Sequence, residues 1–440
     1  MKIFLCESYL GPNSGEPLAF PLGLAYLASM VKEKHEVYGW DPNVAENPMQ
    51  EFPRILKKIN PDIVGLSLRN IDSLFSSNVR SYYPPFVSMV RIIKETLPSC
   101  KLVVGGPGFS LFSKEIMRRN PEIDIGVVSE GELVFYELLE NLDHPERVRN
   151  LVIRRNGNLF FTGKEGWLNF NFLPPPSREF FDLEKYKKEK YSMGIQSKRG
   201  CSFSCSYCPN KFIVGGKFRL RSPKKVVDEI EQLINEYHID SFFFVDSVFN
   251  FPLEHARAIC REIIKRKLDV KWQTEFRPEF LNASFMKEAI KAGCTLFSVS
   301  PDGASNGALQ FLGKNFTVDT IDKTIDLVKK TEDAKIGYSF FYDLPSNNRD
   351  HTYGLLRLFL KVQSQCRHKV RFISLTRIRI LPYTHIYRMA LRQGKIKSNA
   401  DLIYPIHYHS SSPISFTNLI PNLIRGAFII DQKAHNLFKS

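Results

Sequence analysis

A chain of 440 residues, 43% hydrophobic and 12% aromatic, is long enough for two or three domains with large buried cores. No apolar run is long enough to span a bilayer, and the opening Met1 to Cys6 reads as a first strand rather than a signal peptide, which points to a reducing, cytoplasmic setting. The net charge of +15 is spread along the chain, and its densest run, Lys185 to Lys190, is broken by Tyr186 and Glu189; this reads mostly as solvated surface with a lesser vote for an acidic partner, so neither a membrane nor nucleic acid is expected as a partner.

Residues 1–145 alternate strand and helix patterns. Strands are expected at Lys2–Glu7, His35–Trp40, Ile63–Leu68, Lys101–Gly105 and Asp124–Val128, with helices such as Leu22–Val31, Phe86–Leu97 and Glu132–Leu142 between them. Five such units predict a parallel α/β sheet, doubly wound and flavodoxin-like, with its ligand at the carboxyl ends of the strands. Those ends carry small residues. Strand 1 opens into a loop closed by Pro21, Leu22 and Gly23. Ser67 ends strand 3, Gly105-Gly106-Pro107-Gly108-Phe109 follows strand 4, and Ser129-Glu130-Gly131-Glu132 follows strand 5. A dinucleotide fingerprint would place G-x-G-x-x-G after strand 1; the glycine pair stands after strand 4 instead.

Residues 146–190 read as a linker. It contains a β-hairpin over Val152–Phe161 with an Asn156-Gly157 turn, and a Pro174-Pro175-Pro176 break. Over residues 191–395 a second βα series follows. Its strands are expected at Gly194–Lys198, Ser241–Val245, Val270–Glu275, Leu296–Ser300, Ile336–Phe341 and Val370–Arg377. A helix over Pro223–Tyr237 is capped by Ser222. As in βα barrels, chemistry should gather at the strand ends. These present Asp246, Glu275 with Arg277, Ser300 with Asp302, the run Tyr342 to Pro345 that includes Leu344, and Arg379 to Thr384.

The first strand of this series delivers Cys201, Cys205 and Cys208 in a C-x3-C-x2-C run. Three thiolates on one short loop can each hold one iron of a [4Fe–4S] cluster. With no fourth thiolate nearby, one iron stays open for an outside ligand. The competing zinc site would pair two C-x2-C arms or add histidines, and no His lies between His144 and His238. Cys6, Cys100, Cys260, Cys294 and Cys366 are scattered in mostly apolar contexts and read as buried small hydrophobes.

This run, with Tyr207 before the last Cys, resembles the cluster loop of the radical S-adenosylmethionine (radical SAM) enzymes. The resemblance implies that the open iron binds the amino and carboxylate groups of SAM and that the reduced cluster cleaves SAM to a 5′-deoxyadenosyl radical. It also implies a partial (β/α)6 barrel. SAM carries an amino group, a carboxylate, a sulfonium and a ribose diol, and the expected contacts are Tyr207, Asp246, Glu275, Arg277, Ser300, Asp302 and Leu344. The first domain looks like the cobalamin-binding domain of one radical SAM subclass. That likeness implies cobalamin contacts at Gly23, Ser67, Gly105, Gly106, Phe109 and Gly131. The chain lacks D-x-H-x-x-G, so that motif supplies no lower histidine.

Together these likenesses imply a cobalamin-dependent methyltransferase. One SAM methylates the cobalt, and a second yields the radical that takes hydrogen from an unactivated carbon of a small-molecule substrate; that carbon then takes the methyl group. An electron donor such as flavodoxin or ferredoxin is implied. Two other readings stand beside it. One is a radical SAM enzyme that rearranges or closes rings or transfers another part of SAM. The other is a non-enzymatic iron–sulfur or cobalamin sensor, for which no DNA-binding helix pair stands out. The extension over residues 396–440 contains His407 and His409, which share one face if the segment is a strand and could then line a pocket or bind a metal.

Overall fold

In the computed structural model, residues 1–409 are described, apart from 13, 75, 77, 78, 165 and 345–347 and the side chain of 348. The end of the C-terminal extension and Pro345 lie outside the described residues.

Strands β1 (Lys2–Glu7), β2 (Glu36–Trp40), β3 (Ile63–Ser67), β4 (Lys101–Gly105) and β5 (Ile125–Val127) pair in parallel in the order β2-β1-β3-β4-β5. The helices between them are α1 (Leu22–Val31), α2 (Pro48–Ile59), α3 (Tyr83–Thr96) and α4 (Pro107–Arg119), and α5 (Glu132–Glu140) follows β5. Period-two alternation on β1 shows why the sheet is covered on both faces. Ile3 and Leu5 enter one apolar cluster, whereas Phe4 and Cys6 enter another. The hairpin expected within the linker forms as β6 (Leu151–Arg155) and β7 (Asn158–Phe161), and it extends this sheet, β6 pairing antiparallel with β5.

After a short helix α6 (Leu183–Lys187), the second series begins with β8 (Met193–Ile195) and β9 (Lys198–Arg199). The short helix α7 (Asn210–Ile213) and β10 (Arg219–Leu220) come next, β10 pairing antiparallel with β9. Helix α8 (Pro223–Asn235), β11 (Ser241–Phe244), α9 (Leu253–Lys265), β12 (Lys271–Phe276), α10 (Ala283–Lys291) and β13 (Cys294–Asp302) continue the alternation. The series closes with α11 (Asn306–Phe311), α12 (Val318–Lys330), β14 (Ile336–Phe341), α13 (Asn348–Cys366), β15 (Val370–Thr376) and α14 (His385–Arg392). Strands β8, β11, β12, β13, β14 and β15 are neighbours in that order and all parallel. Six parallel strands that do not close on themselves make a partial barrel.

Asn282 and Ser305 accept from Phe285 N and Ala308 N, capping α10 and α11. Ser222 sits at the start of α8 as expected, yet its side chain makes no cap bond; its own N–H goes to Asn171 Oδ1 at 2.8 Å.

The two sheets share their cores. Leu22, Ala25 and Tyr26 of α1 lie in the same buried cluster as Met193 and Ile195 of β8. The segment after β3 crosses to the barrel, where buried Asp72 meets Arg379 at 2.7 Å. The described part of the C-terminal extension returns to the first domain through Arg119–Asp401 at 2.8 Å and a Tyr83–Tyr404 edge contact. His407 pairs with Arg379 in a β-bridge, and His409 faces Asp343 at 3.8 Å.

Candidate active site between the two strand-end faces

The cysteine loop starts where β9 ends. Gly200 has φ +88°, and a Cβ there would lie 2.0 Å from Lys217 O, so only glycine lets the chain turn into the loop. The loop is then held at successive backbone points. Cys201 N–H donates to Gly215 O at 3.0 Å and Ser206 N–H to Leu312 O at 3.0 Å, while Ser206 O accepts from Ile386 N at 3.0 Å. Burial, and then the neighbouring Cys205 and Cys201, push the Cys208 thiol up to about 12. Burial likewise raises Cys201, opposed in part by Arg277 and Lys211. Cys201, Cys205 and Cys208 are all free, and three cysteines on one loop are the donor set that a [4Fe–4S] cluster with one open iron would take.

Behind the last cysteine, the Tyr207 hydroxyl donates to Asp302, whose Oδ2 also meets Lys314 Nζ at 2.5 Å. Lys314 donates as well to Ser300 O at 3.2 Å. Asp302 is therefore engaged in holding the loop. Lys314 is a residue that the strand-end pattern could not find, because it follows α11 rather than a strand. Arg277 lies 3.7 Å over the Phe203 ring of the cysteine loop and pairs with Glu279 at 2.5 Å.

Above the loop, a cavity of about 620 Å³ separates the carboxyl ends of the two sheets. From the first domain, Gly23, Ser67, Gly105, Gly106 and Gly131 line it. From the barrel come Gln196, Arg199, Val245 and Glu275. Glu275 accepts from Ser298 Oγ at 2.7 Å and from Ser300 Oγ at 3.2 Å, and its burial raises its pKa.

Of the expected contacts, Phe109, Tyr207, Asp246, Arg277, Ser300, Asp302 and Leu344 do not line this cavity; Tyr207, Arg277, Ser300 and Asp302 make the contacts around the cysteine loop and Glu275 given above, and the other three are engaged elsewhere. Phe109 is fully buried, its ring filling the space beside Gly126, because α4 turns that face into the core. Leu344 is likewise buried in the apolar cluster. The Asp246 carboxylate is satisfied internally by Ser197 N at 2.8 Å, Lys198 N at 3.2 Å and the Ser197 hydroxyl, so it anchors the strand that enters the cysteine loop. Gly106 also differs in its reason. Its φ is +97°, and a Cβ would meet Leu68 O at 2.6 Å, so it makes the turn that brings Leu68 under the loop.

The sequence reading missed Glu7 and Arg69, which line the cavity from the ends of β1 and β3. Glu7 accepts weakly from Ser8 N and Ser67 Oγ, both at 3.3 Å. Burial raises its pKa to about 7, against the opposing pull of Arg69. Period-two burial marks Glu7 only as an inward polar residue, and nothing local distinguishes it from a core carboxylate.

Comparison with known proteins agrees with this geometry. The B12 binding domain family matches residues 14–139, and the radical SAM superfamily matches residues 195–358. The chain is a radical SAM protein with a B12-binding domain. A methyltransferase of Pyrococcus horikoshii is 28% identical over 347 residues, 78% of this chain and 73% of that protein. The anaerobic magnesium-protoporphyrin IX monomethyl ester cyclase of Rubrivivax gelatinosus is 27% identical over 330 residues, 70% of this chain and 56% of that protein. Thus the chain spans little more than half the length of this second relative. The solved radical SAM methyltransferase TsrM from Kitasatospora setae has the same fold, with a TM-score of 0.77 at 18% identity over 95% of this chain and 82% of that one.

The cofactors of this radical SAM protein are a [4Fe–4S] cluster, SAM and cobalamin. The residues present fit them. Cys201, Cys205 and Cys208 supply three thiols, and the small-residue rim of the first sheet leaves room for a corrin. Among the described residues that line the cavity none is histidine, in keeping with the missing motif. No helix among the described residues is long and apolar enough to cross a membrane.

Proposed function

We propose that this chain is a cobalamin-dependent radical SAM methyltransferase acting on a carbon of a small molecule. The observation that carries this reading is the single cavity onto which both strand-end faces open, with Gly105 and Gly106 on one side and Glu275 on the other. When bound, the cluster and SAM supply a carbon-centred radical and cobalamin supplies a methyl carrier. The protein's own contribution is placement. Cys201, Cys205 and Cys208 would hold the cluster, one Cys to an iron. Glu275, kept in position by Ser298 and Ser300, offers a buried acceptor to an ammonium or hydroxyl group of SAM. The apolar wall formed by Leu22, Phe243 and Val245 keeps water from the substrate carbon. A low-potential donor such as flavodoxin or ferredoxin supplies the electron.

The test is anaerobic reconstitution followed by incubation with SAM labelled in its methyl group, a reductant and candidate substrates. Label in the product together with 5′-deoxyadenosine supports the proposal. Formation of 5′-deoxyadenosine with an unlabelled, isomerised or cyclised product favours the second reading, a ring-forming radical SAM enzyme. The likeness to the Rubrivivax gelatinosus cyclase keeps that reading open. No turnover of SAM under any of these conditions would favour a sensor.

A further inference from the structure

The turn between β5 and α5, with the first residue of α5, touches the cavity on one side and the cysteine segment on the other. Ser129, Glu130, Gly131 and Glu132 all line the cavity. Ser129, at φ +74°, donates its hydroxyl to Ile213 O at 2.8 Å, shortly after the last cysteine. Glu132 takes Arg199 at 2.5 Å, two residues before Cys201. Glu130 takes both terminal nitrogens of Arg219 at 2.7 Å each and lies 3.4 Å from Arg199. Arg219 in turn pairs with Arg199 across β9 and β10 and donates to Val214 O at 2.8 Å.

Thus both flanks of the cysteine loop are tied to one short loop of the other domain. The ties are buried: Arg199 is 9% exposed and Glu132 4%. The Arg199 guanidinium also lies 4.3 Å from the Phe170 ring centroid, so it has little freedom to find another partner. Displacing Glu132 would leave Arg199 without its 2.5 Å partner, one residue before the tight turn at Gly200 that leads to Cys201.

We propose that the loop Ser129–Glu132 couples the two cofactor sites, with Glu132 a positioning residue for the cysteine loop, so that filling the cavity tightens SAM binding at the cluster. This rests on cobalamin occupying the cavity. Linkage requires the effect to be reciprocal: SAM must tighten cobalamin by the same factor.

The experiment uses the cluster-containing full chain and measures the SAM Kd with and without hydroxocobalamin, and the hydroxocobalamin Kd with and without SAM. In the unaltered protein each ligand is expected to tighten the other by about fivefold or more. In Glu132→Gln, and independently in Ser129→Ala, that factor is expected to fall towards one while iron content is retained. A merely structural role would weaken SAM equally in both states and leave the factor intact. A factor of one in the unaltered protein with hydroxocobalamin bound overturns the coupling, as does an undiminished factor in both variants. If hydroxocobalamin does not bind at all while SAM does, the cofactor assignment of the cavity falls, and the coupling with it.

Discussion

Lys314 and Asp302 form a buried ion pair at 2.5 Å directly behind Cys208, and Tyr207 donates its hydroxyl to the same carboxylate. The pair joins the end of β13 to the turn after α11 and fixes the tyrosine between two cysteines. Its charge also reaches the thiols, since Lys314 opposes the rise in the Cys208 pKa.

Removing one partner leaves the other charged and buried. Lys314→Met is therefore expected to destabilise the cluster-free protein by about 3–5 kcal/mol and to lower iron uptake. Tyr207→Phe, which removes one neutral donor, is expected to cost about 1 kcal/mol. Thermal unfolding and iron analysis check both. Equal stabilities for the two variants would show that Asp302 finds another partner.

Cluster assembly is expected to depend on Cys201, Cys205 and Cys208. Their joint replacement by Ala is expected to abolish the absorbance and iron of a reconstituted cluster, about four irons per chain. Replacing Cys6, Cys260 and Cys294 by Ala should leave the iron content intact, because all three are buried in the apolar clusters. Iron retained in the first variant would move the cluster elsewhere.

Cobalamin uptake is best blocked at Gly23. A Cβ there meets nothing within 4 Å and projects from a residue of the cavity wall. Gly23→Trp is expected to weaken hydroxocobalamin binding by about tenfold or more, worth about 1.4 kcal/mol, while the cluster still assembles. Gly106→Trp would also lose the ligand, but through strain at φ +97° against Leu68, so it tests the turn as much as the cavity. Unchanged uptake by Gly23→Trp would place the corrin away from α1.

Glu7 sets a pH dependence in the cofactor-free protein. Its folded pKa is raised from 4.5 to about 7 by burial and by Asp41, with Arg69 opposing. Between these values the folded state holds more protons than the unfolded one, so stability falls as pH rises. The contribution is complete below about pH 4.5 and lost through about pH 7. The loss amounts to about 3 kcal/mol. Glu7→Gln is expected to flatten this part of the stability profile measured by denaturant unfolding. A slope that survives the substitution would assign it to another group.

The βα alternation, the flavodoxin-like strand order and the six parallel strands of the barrel were legible because each element carries its own periodicity and its own breaks. The cysteine spacing was legible for a related reason. Its signal is local, since three cysteines on one short loop need no partner from elsewhere to stand out. The rim of Ser67, Gly105 and Gly131 could be read because strand ends in a parallel sheet fall on one edge.

Which of these strand-end residues face the cavity was decided by packing. Phe109 follows a glycine turn like a ligand contact, yet the angle of α4 sends it into the core. Asp246 ends a barrel strand as Glu275 does, but Ser197 and Lys198 enclose it. Local sequence cannot rank them, because a side chain's role depends on which unsatisfied groups lie within 3 Å of it after folding. The same holds for Lys314 on Asp302 and Glu132 on Arg199, pairs that lie 12 and 67 residues apart along the chain. The sequence by itself determined the two folds, the thiol triad and the small-residue rim. Only the tertiary structure brought the two strand-end faces onto one cavity and tied its wall to the cysteine loop, because that arrangement is held by an apolar core shared between the domains and by buried charges that meet across their boundary.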